Sequence, residues 1–76
     1  MSEAQDPQTP EQWQEAVDHA EALLLIHSAR AYGFIKGGPE IDVDRCDAIL
    51  TRGAALGVQP DQAAVERIGL AWAGVE

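Results

Sequence analysis

The chain has 76 residues, 46% of them hydrophobic, with 13 acidic and 5 basic side chains and a formal net charge of −8. A domain of this length has one small core, worth about 3–5 kcal/mol, and a partner or a second copy is a common remedy for so small a margin. The lone cysteine excludes an internal disulfide. The excess of carboxylates disfavours direct nucleic-acid binding, because non-specific affinity for DNA comes from Lys and Arg neutralising phosphates.

Residues 1–8, Met1 to Gln8, carry no apolar period and read as a flexible leader, leaving residues 9–76 as a single helical domain. The chain does not open on a basic region followed by an apolar stretch, and its one apolar run is far shorter than the ~20 residues a membrane span needs. The expected location is the cytoplasm, with no membrane contact.

Thr9 suits an N-cap, Pro10 the first helical position, and Gln12 the third, where it can reach back to the cap. No Gly or Pro follows before Gly33, so a long first helix is expected over Pro10–Tyr32. Its inward stripe reads Trp13, Val17, Ala20, Leu24, His27 and Ala31. Ala16, Leu23 and Ile26 widen one flank, and Leu25, Ala29 and Tyr32 the other. Glu11, Gln14, Glu15, Asp18 and Glu21 fill the opposite, solvated face. In the middle stands Leu23-Leu24-Leu25-Ile26, whose four side chains point in directions about 100° apart. Such a run needs cover on more than one side.

The link Phe34 to Ile41 breaks the helix at Gly37-Gly38-Pro39, and Phe34, Ile35 and Ile41 are expected to tuck back into the core. The glycine pair lacks the Lys-Ser/Thr of a phosphate loop, so a plain turn is the better reading. Helix 2 is expected to start at Asp42 as cap, to carry Val43, Cys46, Ile49, Leu50 and Ala54 inward, and to stop at Gly57. Gly53 within it marks either a close helix approach or an early end. Helix 3 restarts at Pro60 and buries Ala64, Val65, Ile68, Ala71 and Trp72 before Gly74. The fold class is therefore all-α, a small three-helix bundle with short links and a long first helix.

Sites with chemistry are sparse. Glu15 and His19 stand one turn apart and His27 lies further along, but zinc needs three or four donors, and no spacing supplies them. Asp42 and Asp44 have the spacing of the first two ligands of a calcium loop. Cys46 takes the next alternate position, however, and the glycine and distal glutamate do not follow, so Glu40, Asp42, Asp44 and Asp47 read as capping and dipole charges. Ser2, Ser28, Thr9 and Thr51 sit in no motif of an activated nucleophile, and Cys46 reads as a buried small hydrophobe. No cofactor, metal or catalytic group is expected.

The segment Ala54-Ala55-Leu56-Gly57-Val58-Gln59-Pro60-Asp61-Gln62-Ala63-Ala64-Val65-Glu66-Arg67-Ile68, 15 of the 76 residues, resembles the centre of a bacterial helix-turn-helix. The resemblance implies that Gly57 makes the tight turn and that the second helix enters a major groove. Gln59, Asp61, Gln62 and Glu66 would then face the groove, with Arg67 the one cation nearby. Two acids in that position oppose phosphate binding.

The expected function is accordingly that of a non-catalytic protein-interaction module that self-associates or docks through helix 1. By analogy, small regulators, inhibitors and assembly factors, phage-encoded ones among them, are built this way. The expected partner surface comprises Trp13 as an aromatic anchor, Glu15, Asp18 and Glu21 as an acidic stripe, and Leu25 and Tyr32 as an apolar seam. On a partner that itself binds DNA, the stripe would occupy a nucleic-acid site. The alternative is a helix-turn-helix regulator of transcription.

Overall fold

The computed structural model describes residues 7–38 and 40–73, with side chains in the last helix up to Ala71. Three helices follow one another: α1 (Pro10–Ala31), α2 (Val43–Ala55) and α3 (Gln62–Ala73). No strand is present among the described residues.

The helix ends follow from local chemistry. Thr9 Oγ1 accepts the N–H of Gln12 at 3.1 Å, and Gln12 Oε1 accepts the N–H of Thr9 at 3.2 Å, a reciprocal capping box. Gln12 Oε1 also accepts the N–H of Gln8 at 2.7 Å, so residues 7 and 8, the end of the expected leader, are tied to the helix. Residues 1–6 lie outside the described residues.

At its far end α1 stops one residue earlier than expected, with Tyr32 as C-cap and Gly33 at φ 86°. Gly33 N–H donates to Arg30 O at 3.1 Å and Phe34 N–H to Ala29 O at 2.8 Å. The same pair of bonds closes α2, where Gly57 at φ 84° donates to Ala54 O at 3.0 Å and Val58 to Gly53 O at 2.8 Å. Both are Schellman turns, which need a residue free to adopt positive φ.

α2 and α3 each pack against α1, and no Cα of one comes within 8 Å of a Cα of the other among the described residues. α1 is therefore a central helix flanked on two sides. Its buried residues are Val17, Asp18, Ala20, Ala22 and Ile26, which differ from the single inward stripe expected. At about 100° per residue, Val17 and Ala20 fall on one side, and Asp18 and Ala22 on another. His27 and Ala31 are exposed, and Leu24 is half-buried. A helix with neighbours on two flanks buries two narrow faces rather than one broad one.

At Gly53 α2 comes close to α1. A Cβ there would stand 2.5 Å from Val17 Cγ2, closer than real side chains come. Its neighbour Ala54 is exposed rather than inward. On α3, Ala64 and Val65 are buried, Ile68 is half-buried and Ala71 is exposed, while the expected placement of the Trp72 side chain lies outside the described residues. Pro39 and Gly74 lie outside them too. Among the described residues Val17 and Val65 are the largest fully buried side chains, each worth roughly 1.5–3 kcal/mol.

α3 begins at Gln62, not at Pro60. Asp61 is its cap: the Asp61 carbonyl accepts Val65 N–H at 2.9 Å and the carboxylate accepts Ala63 N–H at 3.2 Å. In the link after α1, Ile35 and Ile41 are half-buried, but Phe34 is 80% exposed. The glycine turn at Gly33 carries Phe34 off the helix surface instead of back onto it.

Candidate functional site

A groove of about 580 Å³ lies between α1 and α2. Its floor is apolar, made by Ala16, Ala20 and Leu23 of α1 with Cys46 and Ile49 of α2. Its rim is polar and mostly anionic, with Glu15, Glu40 and Asp42 beside His19 and Arg45, while Pro7 and Gln12 complete the lining. A smaller hollow of about 270 Å³ is lined by Trp13, Ala48, Ile49 and Arg52, and shares Pro7 and Arg45 with the groove.

Cys46 is buried in the groove floor, and burial pushes its thiol above the ordinary value; the carboxylates of Asp42 and Asp47 push the same way, against Arg45. The sulfur is held as a neutral thiol. This is the environment of a packed hydrophobe rather than of an activated nucleophile.

The acidic stripe expected on α1 is interrupted at Asp18, while Glu11 and Glu15 are exposed and Glu21 is half-buried. Asp18 is 6% exposed, and its Oδ1 accepts both Gln14 Nε2 at 2.9 Å and the backbone N–H of Asp61 at 2.8 Å. Gln14 Nε2 donates in addition to Gln59 O at 2.6 Å. The first turn of α3 presents N–H groups and the positive end of a helix dipole, and α3 packs on α1 where a carboxylate meets them. Asp18 is therefore a structural group and is withdrawn from the docking surface.

The other expected partner residues do not form one patch. Glu15 is exposed on the groove rim, whereas Trp13 is half-buried against the smaller hollow and is not a projecting anchor. Glu21 is half-buried, Leu25 is 50% exposed and Tyr32 is 78% exposed. These last three fall within roughly 40° of one another around the helix, on a side away from Glu15. The expected residues thus divide between two surfaces.

A feature missed in the sequence stands at the end of α1. The rings of Tyr32 and Phe34 lie 6.4 Å apart with an interplanar angle of 44°, and both project into solvent. They flank Gly33, and Arg30 and Lys36 flank them in turn. No carboxylate occurs between Glu21 and Glu40. Arg30 Nη1 donates to Gly37 O at 2.8 Å, tying the link back to the helix. The available signal was the Tyr-Gly-Phe order itself, since a C-terminal glycine turn diverts the residue that follows it.

The turn expected from the helix-turn-helix resemblance is made by Gly57, and Gln59, Asp61, Gln62, Glu66 and Arg67 are exposed. The Asp18 carboxylate lies against the first turn of α3, where a phosphate would approach. His19 and His27 are both exposed, and among the described residues no three His, Cys, Asp or Glu side chains are grouped to hold a metal ion. None of the described helices is long and apolar enough to cross a membrane. No protein-family model matches the chain, and no curated protein or solved structure shows significant similarity to it.

Proposed function

We propose that the protein is a small, non-catalytic interaction module that binds a protein partner through α1 and the groove α1 forms with α2. One observation carries this reading: a groove lined by the half-buried Ala16, Leu23 and Ile49, over the buried Ala20 and Cys46, lies on a molecule whose largest fully buried side chains, among the described residues, are two valines. A chain this short gains by covering that groove. The carboxylates of Glu15, Glu40 and Asp42 on the rim suit a partner whose apolar group is flanked by cations. The neutral thiol of Cys46 supports a binding role over a chemical one. The lone cysteine accords with a cytoplasmic location.

Ala16→Arg places a long cation in the groove from a half-buried position on α1. Capture of a defined protein from the native cell by the parent, and its loss with Ala16→Arg at an unchanged circular dichroism spectrum, is the expected outcome. Equal capture by both proteins overturns the reading.

A DNA-binding regulator is the second reading, and the tight turn at Gly57 between α2 and α3 favours it. Asp18, Asp61 and Glu66 around the first turns of α3 oppose it, because each repels phosphate. Retardation of duplex DNA by the purified protein at physiological salt would bring it forward.

A further inference from the structure

We infer that the occupant of the groove is a second copy of this chain, which inserts the Tyr32 and Phe34 rings over the apolar floor. The inference rests on the proposed interaction reading and identifies its partner.

The two surfaces complement each other in shape class, polarity and charge. On one side stand two rings, 78% and 80% exposed, projecting from the end of α1. On the other is a concave apolar floor of about 580 Å³, a size that receives aromatic groups. Arg30 and Lys36 bracket the rings, and residues 22–39 contain no carboxylate. The groove rim bears Glu15, Glu40 and Asp42 against the single cation Arg45. Each copy carries a net charge of −8, so most mutual orientations are repulsive. An orientation that sets the carboxylate-free segment 22–39 of one copy against the anionic rim of another is favoured over the rest.

The rings are also held ready. The Schellman turn at Gly33 fixes the backbone between them, and the Arg30–Gly37 bond fixes the link beyond. Little backbone freedom is then lost on docking, which favours the affinity of an aromatic anchor. Since rings and groove are different surfaces of one chain, the contact is either exchanged reciprocally in a two-fold pair or runs head-to-tail from copy to copy.

Sedimentation of the full chain over a range of concentrations is the test. The parent is expected to associate reversibly. The exposed double substitution Tyr32→Ser with Phe34→Ser is expected to weaken association about thirtyfold, the effect of losing an aromatic hot spot, at an unchanged circular dichroism spectrum. Ala16→Arg is expected to weaken it similarly; if that variant does not fold, Glu15→Lys with Glu40→Lys, both at exposed positions, reverses the rim instead. Mixing the ring-deficient and groove-deficient proteins is expected to restore a one-to-one pair, because one intact ring pair and one intact groove remain. A parent that stays monomeric at high micromolar concentration, association indifferent to the ring substitutions, or a mixture that stays monomeric each overturns the inference. If a different protein is nonetheless captured through the groove, and lost with Ala16→Arg, the interaction reading stands while the second copy as its partner does not.

Discussion

Asp18 of α1 accepts the backbone N–H of Asp61 at 2.8 Å across 43 positions of sequence, so a carboxylate from one helix closes the start of another. Both the Asp61 amide and the Gln14 side-chain amide depend on the same oxygen. Asp18→Ala would remove that acceptor from two part-buried bonds, and the expected cost is about 1–2 kcal/mol. Urea unfolding followed by circular dichroism measures it. A loss below half a kcal/mol would mean that α3 does not need this bond.

Gly53→Ala is expected to destabilise, although the same change in most helices stabilises by roughly 1 kcal/mol. The added Cβ would sit 2.5 Å from Val17 Cγ2, and separating the helices to admit it costs about 1–3 kcal/mol. A double-mutant cycle with Val17→Ala checks the cause. In that background the alanine at position 53 should be tolerated, and strictly additive losses would rule out the contact.

Cys46 gives stability a pH dependence at alkaline pH. Its folded-state thiol lies above the ordinary value of 9.0, so the folded protein holds this proton more tightly than the unfolded chain does. The contribution is complete below pH 9.0 and is lost as the pH rises through the folded-state value. Urea midpoints measured across that range should fall more steeply for the parent than for Cys46→Ala. In the same way, labelling of Cys46 by a thiol reagent at neutral pH should be slower than that of an unhindered peptide thiol.

Thr9→Ala removes the hydroxyl half of the capping box. The expected cost is about 1 kcal/mol, with fraying confined to the first turns of α1. Because Trp13 lies just inside that turn and lines the smaller hollow, its fluorescence, read in a Trp72→Phe background, reports the change. An unchanged emission spectrum at an unchanged urea midpoint would show that Gln12 alone holds the helix start.

What could be read from the sequence was governed by bonds that span a few residues. Thr9 with Gln12, Asp42, Gly33 and Gly57 each act within one turn, and each helix end was placed to within a residue where these groups stand. The start of α3 was misplaced because Pro60 has the right shape for a first turn, while the cap is Asp61, whose amide is held by a group far away in sequence. The faces of α1 were misread for a related reason. Asp18 looks like solvent-facing charge in any local pattern, and only the arrival of another helix's unpaired N–H groups makes its burial favourable. Phe34 was assigned to the core on hydrophobicity alone, and the geometry of a glycine turn outweighs that preference. At Gly53 the local pattern allows either a close approach or an early helix end, and the position of Val17 on the facing helix decides between them.

Because α2 and α3 each pack on α1, and no Cα of one comes within 8 Å of a Cα of the other among the described residues, the molecule resembles two leaves on one hinge pin. Either leaf can open while the other stays closed, provided α1 remains intact. Amide exchange should therefore divide into separate classes, with the α3 amides lost by one opening and the α2 amides by another, and the shared midsection of α1 slowest of all. Substitutions on the two leaves should add without coupling. An occupant of the groove would slow exchange in α2 and leave the rate in α3 unchanged, so amide exchange alone could show which side of the pin a partner holds.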